Sequence, residues 1–266
     1  MVDVLFKKLL VDCLINIVQG KFFMKYLLFS AFIILGLAGL TSAQASAPFA
    51  ITHYGNFKKM MHTRKTDGVV NLQEALDLPH VYAVGAIAQG AGEITVIDNR
   101  IWLDYSADGL GKSKNTLPGG EEAVLLVRAQ VEKWLAVKVP EDMSRQELHV
   151  FILTQAEAHG LDATEPFPFV LEGSFYDVDW HLVNGKKEPS NDHKHFAPFN
   201  KLTDHRDQAE GIVIGFYSAS NQGVYTHPGE SWHLHIVFEK EEKAGHLDKI
   251  SVKEGTLLKL PVSLIK

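Results

Sequence analysis

The chain has 266 residues, with 26 Lys and Arg against 32 Asp and Glu, a formal net charge of −6, and one cysteine, Cys13. No basic stripe stands out, which argues against a nucleic-acid partner, and the acidic balance mostly serves solubility. The length is enough for one sizeable core or two small domains once a leader is set aside.

The leader is read at the N-terminus. Met24-Lys25-Tyr26-Leu27 opens an apolar run through Ala38 that ends in small residues at Thr41-Ser42-Ala43-Gln44-Ala45. A basic start, a short apolar core and an Ala-x-Ala-like end describe a secretory signal peptide, with Met24 read as the true start. The run is too short for a stable membrane span. Residues 1–45 are therefore set aside as leader, which implies a periplasmic or secreted protein. Their removal takes four lysines and two aspartates and leaves 22 basic and 30 acidic residues, a net of −8. Cys13 leaves with them, so the mature chain offers no disulfide, no thiol nucleophile and no cysteine ligand.

Asn71-Leu72-Gln73-Glu74 reads as a helix N-cap, and Pro79 keeps that helix short. Val81–Ile87 and Glu93–Ile97 are rich in β-branched residues and predict strands. Asp98-Asn99 is a tight-turn pair that should fold Arg100–Asp104 back as a hairpin. Val127, Ala129 and Val131 alternate with polar residues, again a strand. Ser144-Arg145-Gln146-Glu147 is a capping box for a helix running to about Gly160.

The second half is more plainly β. Tyr176, Val178, Trp180 and Leu182 line one face of a strand, and Asp177, Asp179 and His181 the other; Asn184-Gly185 ends it. Residues 186–208, with Pro189 and Pro198, read as a long polar loop. Ile212, Ile214 and Phe216 alternate in the next strand, and Trp232, Leu234, Ile236 and Phe238 in the one after. That alternation puts His233 and His235 on the opposite face. Lys240-Glu241-Glu242-Lys243 reads as a turn bringing His246 back alongside, and Lys249–Val252 and Leu257–Leu260 predict the last strands.

His233, His235 and His246 are thus candidates for three imidazoles around one metal with an open position, the usual arrangement of a catalytic zinc. The competing reading is two solvent-facing histidines on an amphipathic strand and one loop histidine. Glu93, after Gly90-Ala91-Gly92, is either a cleft carboxylate or an ordinary surface charge. His181 is either a substrate-side group or part of an exposed polar face. His193 and His195 form a rival His-x-His inside the polar loop, and His227-Pro228-Gly229 reads as a turn that lies before the His233 strand or lines a site mouth. There is no Gly-rich phosphate loop and no Gly-x-Ser-x-Gly elbow.

In the order of these motifs the chain resembles the α-acetolactate decarboxylase family, from about His53 to Leu260. His233-Leu234-His235 and Gly245-His246-Leu247-Asp248 are similar to that family's Gly-Tyr-His-Leu-His-Phe and Gly-His-Val-Leu-Asp segments, and Pro228-Gly229 matches upstream with two extra residues. Gly215-Phe216, Leu171-Glu172-Gly173-Ser174-Phe175, Gly92-Glu93 and Gly85 match further family positions. The departures are Gly85-Ala86-Ile87 for Gly-Thr-Phe, Gly90-Ala91-Gly92-Glu93 for Leu-Asp-Gly-Glu, and His181 where the family has a substrate-facing arginine. The family also brings a glutamate from a C-terminal tail, whereas this chain ends twenty residues after His246.

The resemblance implies an α+β fold of two mixed β-sheet/helix domains, 46–165 and 166–266, with the metal site at the cleft between them. It implies zinc on His233, His235 and His246, and decarboxylation of 2-acetolactate, a 2-hydroxy-3-keto acid, to acetoin and carbon dioxide through a metal-stabilised enediolate. Glu93 would be the general acid/base, and His181 a cation or donor for the substrate carboxylate. It also implies a homodimer. The altered arginine position leaves open another metal-assisted reaction on a small oxygenated substrate, or a non-catalytic periplasmic metal- or ligand-binding protein.

Overall fold

The computed structural model describes residues 49–63, 65–185 and 200–262. The leader, Cys13, and the His193/His195 pair lie outside the described residues. Residues Ser46–Lys266 form one compact unit. It is built on two six-stranded sheets whose ladders are all antiparallel.

The first sheet takes β1 (Ala50–Tyr54), β2 (Val70–Asn71), β3 (Val81–Ile87), β4 (Gly92–Ile97), β5 (Arg100–Tyr105) and β6 (Glu122–Gln130). Its order is β1-β6-β3-β4-β5, with β2 also on β6. Asp98 and Asn99, at φ 48° and 63°, make the β4–β5 turn as the sequence predicts, because a two-residue hairpin needs positive φ at both positions. Two short helices attend this sheet, α1 (Phe57–Thr63) and α2 (Leu72–Leu76), the latter capped by Asn71 Oδ1 accepting from Gln73 N.

The second sheet takes β7 (Trp134–Lys138), β8 (Phe167–Asn184), β9 (Asn200–Tyr217), β10 (Trp232–Phe238), β11 (Lys243–Val252) and β12 (Leu257–Pro261). The order β11-β10-β9-β8-β12-β7 curls shut, because β11 also pairs β8. β8 is long enough to share one edge between two partners: its start pairs β12 and its end pairs β11. The helix α3 (Arg145–Ala158) starts at the Ser144/Glu147 capping box and stops before Gly160 at φ 82°. Its Leu148, Ile152 and Ala156, on one face by their four-residue spacing, enter the core with Phe169, Trp232 and Leu247 of this sheet. In chain order the first sheet ends with β6 and the second begins with β7, since β7 pairs β12 and α3 packs on the second sheet.

Residues 200–208, expected in a loop, are strand. They pair with β8 along its whole second half. Apolar alternation does not announce them, because Leu202 is the one apolar inward residue and Asp204 and Arg206 fill the next inward positions with a polar network. Trp180 Nε1 donates to Asp204 (3.0 Å), and Arg206 forks onto Glu241 (2.5 and 2.9 Å) while lying 3.8 Å from the Phe238 ring centroid.

A separate apolar layer joins the two sheets. Tyr82, Val84, Trp102 and Val127 from the first sheet pack with Val170, Ile214, Phe216 and Val237 from the second.

Candidate active site

The histidines lie on the same face of the second sheet as that layer. Trp232, Leu234, Ile236 and Phe238 of β10 enter the core shared with α3, so His233 and His235 turn toward the first sheet beside Val237. Both are buried. The turn at Glu239–Glu241 reverses the chain and sets His246 directly opposite His235. On its other edge β11 sets His246 opposite His181 of β8. Directly opposed residues point to one face, so His235, His246 and His181 form a row across three strands. Ring centroids are 5.5 Å apart for His235 and His246 and 4.6 Å for His246 and His181, with His233 about equally near His235 (5.1 Å) and His246 (5.0 Å). Gly245 permits this approach: a Cβ there would stand 2.7 Å from the His181 carbonyl oxygen and 2.8 Å from Trp180.

The first sheet contributes Glu93 and Thr95, two residues apart on β4 and so on one face. Gly92, at φ 154°, carries the chain so close to β5 that a Cβ would sit 1.8 Å from the Asp104 carbonyl oxygen. Glu93 is 3 % exposed; one carboxyl oxygen accepts from Val183 N (3.2 Å) and the other lies 3.7 Å from His235 Nε2. Thr95 Oγ1 lies 2.8 Å from His235 Nδ1. His233 Nδ1–H donates to the Tyr225 carbonyl at 3.3 Å, which leaves its Nε2 as the lone-pair nitrogen.

His227 comes from the β9–β10 connection. His227-Pro228-Gly229-Glu230 is a tight turn, with Gly229 at φ 87° and Glu230 N donating to His227 O at 3.0 Å. Its ring centroid is 4.7 Å from His246 and 5.5 Å from His233. His227, His181, His233, His246 and Glu93 line a cavity of about 30 Å³ floored by Gly85, Ala86 and Leu125. A wider cleft of about 250 Å³ adjoins it, lined by Arg145, Lys201, Trp232 and Asp248 and sharing His227 and His246 with it.

Burial sets the protonation states. It pushes Glu93 well above the carboxylate range, only partly offset by the Val183 N–H, so the group is a neutral acid. It holds His233 down to about 4 and His227 down to about 3, and His235 and His246 well below the imidazole range. His181 is also lowered by burial, against the pull of Asp248, whose Oδ2 accepts from His181 Nδ1 at 2.5 Å. Asp248 stays low: the His181 hydrogen bond and Lys201, 3.0 Å away, outweigh its own burial. His181 is therefore a neutral ring with Nδ1–H committed to Asp248. In that neutral form its cavity-side nitrogen is an acceptor.

The donor set fits a divalent metal. Neutral imidazoles are the ligating form. His235 Nε2 is fully buried with no hydrogen-bond partner among the described residues, the kind of polar orphan that needs a ligand. Donor atoms of His227, His233 and His246 lie within 4.8 Å of one another, as do those of His181, His246 and Asp248. All five residues picked from the sequence, Glu93, His181, His233, His235 and His246, thus gather in one place. Of the two sequence readings of His227-Pro228-Gly229, a turn before the strand or the lining of a site mouth, the structure shows both at once; Asp248 enters the sequence reading only as part of the His246 motif, and Thr95 and Lys201 carry no sequence signal.

The profile of the Alpha-acetolactate decarboxylase family matches residues 81–263. The chain belongs to this family. Solved structures agree at the level of fold. Alpha-acetolactate decarboxylase from Bacillus subtilis strain 168 is 16% identical with a TM-score of 0.63, covering 79% of this chain and 85% of that one. Acetolactate decarboxylase from Bacillus subtilis subspecies spizizenii gives 16% and 0.62 over 79% and 85%. A protein of unknown function similar to alpha-acetolactate decarboxylase, from Staphylococcus aureus, gives 12% and 0.58 over 79% and 84%. No protein among the curated sequences matches. Among the described residues no helix is long and apolar enough to cross a membrane.

Proposed function

We propose that this chain is a zinc-dependent carboxy-lyase that decarboxylates 2-acetolactate to acetoin. The observation that carries the reading is Glu93, a buried neutral acid set 3.7 Å from an orphaned imidazole nitrogen in a cluster of neutral histidines. His233, His235 and His246 would hold the metal, which when bound supplies a positive charge for the substrate's hydroxyl and carbonyl oxygens.

The chain's own residues do the rest. Thr95 Oγ1, 2.8 Å from His235 Nδ1, steadies the ring with Nε2 turned toward Glu93, and would accept from Nδ1–H when Nε2 holds the metal. The Tyr225 carbonyl does the same for His233. Cleavage of the bond between the carboxylate carbon and its neighbour releases carbon dioxide and leaves that bond's electron pair behind. A proton must be returned to one face of the product, and Glu93, protonated and held by Val183 N–H, is the group to return it. Arg145 and Lys201 in the adjoining cleft are the cations available to a substrate carboxylate, since His181 is neutral.

That last point also favours a second reading, a related metal-assisted reaction on another small oxygenated substrate, because no Lys or Arg among the described residues lines the inner cavity itself. The experiment is to incubate the purified chain with racemic acetolactate, with and without chelator, and measure acetoin and carbon dioxide. Chelator-sensitive acetoin is the expected result. Stoichiometric zinc without acetoin would move the assignment to the second reading, and no bound metal would end both.

A further inference from the structure

His227 is the imidazole that the three-histidine reading does not use. Its ring has no hydrogen-bond partner among the described residues, although it is enclosed between Phe57, at 4.1 Å centroid separation, and the edges of His233 and His246. Its donor atom lies within 4.8 Å of those of both His233 and His246, whereas His235 falls in no such group.

Its position is also built rather than incidental. The turn that carries it is closed by the Glu230 N–H to His227 carbonyl bond, and Gly229 supplies the positive φ that a Pro-Gly turn demands. Beside it Thr226, fully buried, donates from its hydroxyl to the Glu230 carbonyl at 2.5 Å. Gly223 N donates back to the Thr226 carbonyl at 2.8 Å. The backbone that presents the ring is therefore tied at both ends.

We propose that His227 is a fourth imidazole donor to the metal held by His233, His235 and His246, so that the resting site is a closed set of four nitrogens. The proposal rests on the metal reading given above. Four neutral nitrogens suit zinc or another borderline first-row divalent ion. His227 and His246 line both the 30 Å³ cavity and the 250 Å³ cleft, so the added ligand would stand where the two spaces meet.

The test is metal binding, not turnover. Zinc affinity is measured by competition with a chromophoric chelator for the wild-type chain, H227A and H227Q, and visible spectra are recorded for the cobalt(II) forms. Partners of ligands alone are worth roughly 10–100-fold in metal affinity, so loss of a donor should cost at least about tenfold. The cobalt spectrum should change in both variants, and added free imidazole should return that of H227A toward wild type. H227Q, which keeps bulk against Phe57, carries the comparison if H227A loses its fold. Wild-type affinity and spectrum in a folded variant would overturn the assignment of His227 alone. Failure of the wild-type chain to bind metal at all would overturn the underlying metal reading instead.

Discussion

Thr95→Val isolates one hydrogen bond at the site. The Thr95 side chain is fully buried, and valine replaces its hydroxyl by a methyl of similar size, so neither a cavity nor a new water contact enters the comparison. What changes is His235, also fully buried, whose Nδ1 loses its 2.8 Å partner. Since Nε2 already lacks one, the metal-free ring would be left with both nitrogens unpaired. An unpaired buried polar group costs about 1–3 kcal/mol, which sets the expected loss of stability in the metal-free protein. When Nε2 holds a metal, Nδ1 carries the hydrogen and the Thr95 hydroxyl is placed to accept it. Without that partner to support the ligand ring, affinity should fall roughly 10–100-fold, about 1.4–2.8 kcal/mol. Chelator competition measures the second quantity and denaturant unfolding of the chelated protein the first. Unchanged zinc affinity in T95V would refute the argument that Thr95 supports a ligand ring.

Three further outcomes follow from the same geometry. Glu93→Gln should keep the metal but lower decarboxylation by roughly 10²–10⁴-fold, the usual worth of a positioned acid; activity within a few-fold of wild type would remove Glu93 from the chemistry. Asp104, 3 % exposed, is pushed by burial up to about 7 from its ordinary 3.8, despite accepting from Ser113 and from Ala244 N. Between those values the folded chain holds a proton that the unfolded chain has lost, so stability of the chelated protein should fall as pH rises from 4 to 7, by a few kcal/mol at most. Unfolding curves across that range should show a shallower slope in Asp104→Asn, and an unaltered slope would exclude Asp104 as its source. Gly245→Ala places a methyl 2.7 Å from the His181 carbonyl oxygen, so the β11–β8 ladder must part there. A loss of roughly 1–3 kcal/mol is expected, measured by thermal unfolding, and a neutral effect would mean that the two strands tolerate more separation than their pairing implies.

The elements that could be read in the sequence are those whose pattern reports their own surroundings. β10 alternates because one face enters an apolar core, and that alternation alone places His233 and His235 together on the other face. The capping box at Ser144 and the Asp98-Asn99 turn are local chemistry and needed no tertiary knowledge. β9 was hidden from Asn200 to Gln208 because its inward positions hold Asp204 and Arg206, which are satisfied by Trp180 and Glu241 from elsewhere in the chain. Thr95 was hidden for the same reason: its significance lies in a residue 140 positions away. His181 was visible as a site candidate, but its charge was not, because that depends on burial and on Asp248, 67 residues distant.

The pairing of β11 with both β10 and β8 ties the site to the order in which the chain comes together. His233, His235 and His246 belong to one hairpin and meet as soon as that hairpin forms. His181 joins them only when the distant β8 edge docks and the ring of strands shuts. Bringing those ends together carries a loop-closure cost that the hairpin does not. Any ligand that bridges the hairpin histidines to the β8 side therefore acts as a clasp on the last seam to close, and its removal should loosen that seam first, ahead of the α3 core.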